Sequence, residues 1–149
     1  MAKTQILIWP TEFTYEGFKD NNQYLSLNGN AEIEKDGILR LTNDTSRILG
    51  HAFYPEKVKF KNSSDGPVLS FSTCFAFAIQ SVVPRLGGHG FAFTISPNKN
   101  LSNALPSQYL GLLNSSDMGN FSNHILAVEF DTIQDFELGI LMTTILELI

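Results

Sequence analysis

Cysteine is nearly absent: Cys74 is the only one in 149 residues. A lone thiol excludes an internal disulfide framework and any multi-cysteine zinc site. Basic residues are also scarce, with 10 Lys plus Arg against 15 Asp plus Glu and a net charge of −5. With no Lys/Arg block, neither nucleic acid nor an anionic membrane surface is expected as the main partner. No run approaches the roughly 18–20 apolar residues of a membrane span. Charged residues make up only 17% while hydrophobic ones reach 43%, the reverse of a disordered composition. A Gly-rich loop paired with a strand Lys, and a His-Arg-Asp loop, are both missing, which excludes a kinase domain from these residues. Cys74 has no Gly-rich turn or nearby base to make it a nucleophile, so it reads as a small, inward-facing strand residue.

What the chain has is aromatic and turn chemistry: 12 Phe, 4 Tyr, 1 Trp, 11 Gly and 6 Pro. Its length fits a single domain. Apolar residues recur with period two, and no amphipathic helix is evident. Strands are expected over 12–18, 25–27, 31–33, 38–41, 50–54, 58–61, 68–79, 91–95, 109–114 and 124–132. The turn Lys35-Asp-Gly37 and the polar loops 62–67 and 98–108 separate them. Short strands with turn signals every 8–12 residues predict an all-β fold, an antiparallel sandwich or jelly roll.

Residues 1–11 carry one Lys and the apolar run Ile6–Trp9 before Pro10. That is shorter than the about 7–15 apolar residues of a secretory signal, and reads as a remnant of one. Five Asn-x-Ser/Thr sequons, at Asn43, Asn62, Asn100, Asn114 and Asn120, fall in turn-rich stretches. Five acceptors so close together point to the secretory pathway and an extracellular or cell-surface location.

The most informative segment is His124-Ile-Leu-Ala-Val-Glu-Phe-Asp-Thr132. On a strand, Leu126, Val128, Phe130 and Thr132 share one face, and Glu129 and Asp131 share the other. Carboxylates at i and i+2 stand about 6.5–7 Å apart along the strand, and a divalent cation would relieve their repulsion. Asp135, just past the strand, offers a third oxygen. By spacing alone, two solvated carboxylates on an outer face are an equal alternative. His51 and His124 read as ordinary strand residues.

Six stretches carry a resemblance: Phe13-Thr-Tyr-Glu-Gly-Phe18, Gly50-His-Ala-Phe-Tyr54, Ser70-Phe-Ser-Thr-Cys-Phe75, Gly87-Gly-His-Gly-Phe-Ala-Phe93, Leu105-Pro-Ser-Gln-Tyr-Leu-Gly-Leu-Leu113 and Val128-Glu-Phe-Asp-Thr132. In this order, over residues 12–137, they resemble the legume-type (L-type) lectin domain, in the form found outside the cell in plant lectin receptor kinases. The resemblance implies a concanavalin A-like jelly roll of two antiparallel sheets. It also implies non-catalytic, reversible carbohydrate binding beside a Ca²⁺/Mn²⁺ pair. Glu129 and Asp131 match the family's transition-metal and bridging ligands. Asp135 stands where the family has an Asn that ligates calcium and touches sugar; a carboxylate keeps the oxygen but loses the N–H donor. His89 replaces a sugar-binding Asp, and a neutral imidazole has one acceptor nitrogen. Gln108 takes the place of a Gly whose backbone N–H meets the sugar, and Ile133 the place of a stacking aromatic. Glycan binding weaker than the family's is therefore expected.

Beyond residue 137 the resemblance ends. The family's next two ligands, an Asp and a His, fall at Ile140 and Ile145, neither able to ligate. With suitable codons, Ile140–Ile149 read one base earlier gives Asp-Ile-Asn-Asp-Asn-His-Ile-Gly-Ile-Asp, the family sequence. Residues 138–149 are thus expected to be a non-family tail left by a frameshift. An L-type domain takes about 220–250 residues. The fold is accordingly expected to be incomplete at its C-terminus, with exposed edges open to self-association. Two other readings stand beside the lectin. One is a receptor-ectodomain remnant that binds no sugar, or that binds proteins or apolar ligands. The other is a glycoside hydrolase of the same architecture, which needs a second Glu where Gln134 stands and is disfavoured for that reason.

Overall fold

The computed structural model describes residues 12–19, 25–80, 88–117 and 120–132, and the backbone of 145–148. The described residues hold seven strands and no α-helix. These are β1 (Ser26–Gly29), β2 (Glu32–Ile33), β3 (Leu39–Arg40), β4 (Gly50–Phe53), β5 (Gly90–Ile95), β6 (Leu126–Asp131) and β7 (Ile145–Leu148). All pairings are antiparallel: β1 with β4, β2 with β3, and a three-stranded sheet in the order β5-β6-β7.

The β2–β3 hairpin forms where the turn signal predicts. Glu34 N–H donates to Ile38 O, Gly37 N–H to Glu34 O (both 2.9 Å), and Asp36 Oδ1 accepts the Ile38 N–H at 3.2 Å. Register places Glu32 opposite Arg40. The Arg40 guanidinium binds the Glu32 carboxylate and lies 3.0 Å, through Nε, from Glu34 Oε1. The hydrogen bond to Glu32, with the carboxylates nearby, holds the Arg40 pKa above its ordinary value. So exposed a pair adds little stability.

The central sheet separates two apolar layers. Val128 and Phe130 of β6 face the same way as Phe91 and Phe93 of β5, as the register Phe91↔Phe130 and Phe93↔Val128 requires. Phe91 stacks on Phe130 at 4.7 Å between ring centroids, and Phe77 meets them at 4.5 and 5.0 Å. Phe75 and Phe71 extend this layer over Phe93. On the opposite face, Ala127, Leu112 and Leu113 form a small buried core with Ala92, Leu101 and Ile125 packed against it.

Several expected strands are not strands among the described residues. In 12–18 the alternating aromatics stack instead: Phe13 lies flat on Tyr54 at 3.9 Å, and Tyr15 against Phe18. Burial, with Tyr54 nearby, pushes the Tyr15 hydroxyl pKa above its ordinary value. Residues 109–114 belong to a turn, because Leu110 (φ 48) and Gly111 (φ 75) are left-handed and cannot continue a ladder. From the stretch 58–61, Phe60 O accepts the Leu69 N–H at 2.8 Å, an isolated backbone bond rather than a ladder. Residues 68–79 join no ladder, and Cys74 is exposed rather than turned inward. Within the expected tail 138–149, residues 145–148 form a strand, β7.

Candidate functional site

Strand β6 carries both candidate metal-ligating carboxylates. Glu129 stands opposite Ala92 and Asp131 opposite Gly90, so the residues across β5 are the two smallest available. Both carboxylates are half-buried. Gly90 has φ +107, and a Cβ there would lie 2.0 Å from Phe130 O, so only glycine lets the chain enter β5 this close to β6. One step further, Thr132 Oγ1 donates to Gly88 O at 2.5 Å. These contacts bring the Gly88-His89 loop, and with it the candidate sugar contact His89, to the acidic end of β6. The Gly88–His89 peptide is trans, as is every peptide among the described residues.

Gln108 lies in a single 3₁₀ turn, Ser107–Tyr109, and is exposed. Hydrogen bonds of Leu105 N–H to Leu113 O (2.8 Å) and Gly111 N–H to Leu105 O (2.9 Å) close this loop. Leu112 and Leu113 then dock it on Ala92 and Ala127, the face that also bears Glu129 and Asp131. Gln108 and the carboxylates therefore belong to the same side of the sheet. Asp135 lies outside the described residues.

A hidden brace holds this loop. His51 of β4 is buried, and its Nε2–H donates to Gly111 O at 2.6 Å. A Cβ on Gly111 would come within 3.0 Å of that nitrogen. His51 was legible only as a strand residue; its alternation with Phe53 was the available sign that it points inward.

Four of the five sequon asparagines act as turn formers. Asn43, Asn100, Asn114 and Asn120 each accept the backbone N–H two residues on, at 2.9, 3.0, 2.8 and 3.0 Å. Asn114 differs in being half-buried, with Nδ2 donating to Asp117 Oδ2 at 3.0 Å. Asp117 Oδ1 also accepts the Asn114 N–H at 2.6 Å, while Asp117 O accepts from Asn123 Nδ2 at 2.7 Å. Asp117→Ala strands two part-buried donors, and we expect a loss of about 1–3 kcal/mol, read as a lowered urea midpoint.

Calcium takes about 6–8 oxygen ligands and a transition metal favours imidazole among its donors. Among the described residues no three His, Cys, Asp or Glu side chains gather around one point. The position in register with Asp131 on β7 is Ile145, which has no ligating atom. These residues do not make up the ligand set of a Ca²⁺/Mn²⁺ pair.

The described residues are antiparallel β-structure, with a small-residue entry to β5 beside the Glu-x-Asp segment of β6. The legume lectin domain family model matches residues 10–141, and the chain belongs to that family. It is 53% identical over 127 residues to the L-type lectin-domain containing receptor kinase IV.2 of Arabidopsis thaliana, covering 85% of this chain and 19% of that protein. Identity to receptor kinase IV.3 of the same plant is 50% over 125 residues, covering 84% and 18%. Receptor kinase V.9 is 49% identical over 126 residues, covering 85% and 18%. The chain thus spans about a fifth of the length of these relatives.

Proposed function

We propose that this chain is a non-catalytic carbohydrate-binding module with a concanavalin A-like jelly-roll plan, acting outside the cell or at its surface. The observation that carries this reading is the β5–β6 register. It sets the His89 loop against Asp131, on a sheet face that the Gln108 loop also covers. Sugar hydroxyls would meet His89 and Gln108 there, with Asp135 as the third contact that the family resemblance implies. One imidazole acceptor in place of a carboxylate's two oxygens makes that contact weaker. The ions its family implies, Ca²⁺ and Mn²⁺, would be held loosely through Glu129, Asp131 and Asp135. Asn43, Asn62, Asn100 and Asn120, exposed in their turns, and half-buried Asn114 are the N-glycan acceptors of this reading.

On a glycan array the chain should show selective, weak binding. Asp131→Asn should reduce it several-fold, and adding Ca²⁺ and Mn²⁺ should change it little. Equal signals from the unaltered chain and from Asp131→Asn on every glycan would leave the second reading, a protein or apolar-ligand module. The exposed rings of Phe71, Phe75 and Phe77 favour that alternative.

A further inference from the structure

We infer that a cleft at the far end of β5 and β6 from His89 is a second binding site, for one neutral pyranose ring. It shares the ligand class of the proposed function but none of its residues. The cleft has a volume of about 180 Å³ and lies between the 96–104 loop, which follows β5, and the residues that lead into β6. Ile95 pairs with Leu126 at this end of the ladder, and Gly90 with Asp131 at the other. Five residue steps separate the two ends, about 17 Å at the antiparallel rise. Leu112, Leu113 and Ile125 give the cleft its apolar floor. Its walls are held by the chain itself. Asn103 O accepts from Asn114 Nδ2 at 3.3 Å, Asp117 O from Asn123 Nδ2 at 2.7 Å, and Lys99 O from Asn28 Nδ2 at 3.3 Å. A site held in shape beforehand gives up less entropy when a ligand enters.

The lining groups select the ligand. Among the described residues, the side-chain amides of Asn98 and Asn103, the Asn100 Nδ2, the Asn123 Oδ1 and the Ser102 hydroxyl are not spent on other hydrogen bonds. Amide donors and acceptors side by side match hydroxyl groups, each of which both gives and accepts a hydrogen bond. Charge is not what this cleft recognises. No Lys, Arg or His lines it, and the nearby Lys99 ammonium donates instead to Pro55 O at 2.8 Å. Its one carboxylate, Asp117, already accepts from Asn114 through both oxygens, at 2.6 and 3.0 Å. An anion therefore meets no counter-charge, and a divalent cation meets a single carboxylate that is already engaged. The volume is below the roughly 300–1,000 Å³ of sites for drug-sized ligands, so one ring fits rather than a chain. A pyranose carries hydroxyls around its rim and C–H groups on its faces, which suits amide walls over a leucine floor. Phe121 belongs to the same short turn as the lining Asn123 and is 96% exposed, so it offers a further apolar face for such a ring.

The test is a backbone-amide NMR titration of the 149-residue chain, produced without glycosylation so that Asn100 keeps its amide. The probes are the methyl glycosides of mannose, glucose and galactose, all in pyranose form. We expect at least one of them to shift the amides of residues 96–103 and 123–126. Asn98→Ala combined with Asn103→Ala should weaken that response about tenfold, while Asp131→Asn leaves it unchanged. The uronic acid glycoside of the same sugar, which adds a negative charge, should bind more weakly. Shifts confined to residues 88–91 and 129–132 overturn this proposal and support the His89 site. Shifts confined to 96–103 and 123–126 support this proposal and count against the His89 site. Shifts in neither region overturn both, and a uronic acid that binds as tightly as the neutral sugar overturns the neutral cleft. If the double variant unfolds, seen by circular dichroism, Phe121→Ala takes its place: a several-fold loss supports the cleft, and unchanged binding overturns it.

Discussion

Gly90→Val should cost on the order of 3 kcal/mol or more and abolish glycan binding together with the fold around it. The backbone there has φ +107, a conformation that a β-branched residue adopts only under strain. Space is lacking as well: an added Cβ would sit 2.0 Å from Phe130 O and 3.0 Å from the Asp131 Cα. Both atoms belong to the backbone of β6, so neither can swing aside, and relief requires β5 to separate from β6. Because Phe91 stacks on Phe130 only while the two strands pair, the aromatic layer loosens with them. Gly88, two residues earlier, is the internal control. Its added Cβ would meet nothing within 4 Å, so Gly88→Ala should shift stability by no more than about 0.5 kcal/mol. Urea unfolding of the two variants, side by side, checks the contrast; equal midpoints would mean that the close approach at Gly90 is not a constraint.

The same pair of strands shows what the sequence made legible. Phe91-Ala-Phe93 and Val128-Glu-Phe130 alternate cleanly, because one side of each strand packs aromatic rings and the other packs small residues. Period two follows directly from that. The hairpin at Lys35-Asp-Gly37 was readable for a local reason, since its chemistry fits only a turn. Residues 12–18 alternate just as well, yet Phe13 stacks face to face on Tyr54, Tyr15 packs against Phe13 and Phe18, and the backbone pairs with no strand among the described residues. A pattern of aromatic side chains fixes which side is apolar, not which backbone accepts its amides. In 109–114, the left-handed conformations at Leu110 and Gly111 decide the turn. Leu110 gives no propensity signal for it, because loop closure through Leu105 and Leu113 imposes the conformation.

The candidate site divides in the same way. Glu129 and Asp131 were legible because i, i+2 spacing needs only one strand. The meeting of His89 with the end of β6 depends on Gly90↔Asp131 pairing and on Thr132 reaching Gly88 O, contacts between segments about forty residues apart in sequence. The His51–Gly111 brace spans sixty residues. Nothing local at either end announces it. Cys74 went the other way: alternation gave it a side of the segment, but whether that side is covered depends on a second layer, and here it is exposed.

The other large effect concerns metal. Ile145→His combined with Ile140→Asp should tighten Mn²⁺ binding at least about tenfold over the unaltered chain, measured by titration calorimetry. The reason is register. Residue 145 is the antiparallel partner of Asp131, and directly opposed residues on such strands have Cβ atoms about 4.5–5.5 Å apart. An imidazole introduced at that position shares a neighbourhood with a carboxylate two residues from a second one, Glu129. Nitrogen joins oxygen in the donor set, as suits a transition ion better than carboxylates alone. Leu148→His is the matched control, since residue 148 pairs with Val128, on the face opposite the carboxylates. It adds the same imidazole to the same strand and should leave Mn²⁺ affinity unchanged. Equal gains from both variants would show that any histidine on β7 binds the ion nonspecifically. No gain from either would mean that β7 does not stand beside Asp131 in solution. A gain confined to the double variant would show that the acidic strand keeps half of a metal site, and that ligands across the β6–β7 ladder are what the present residues lack.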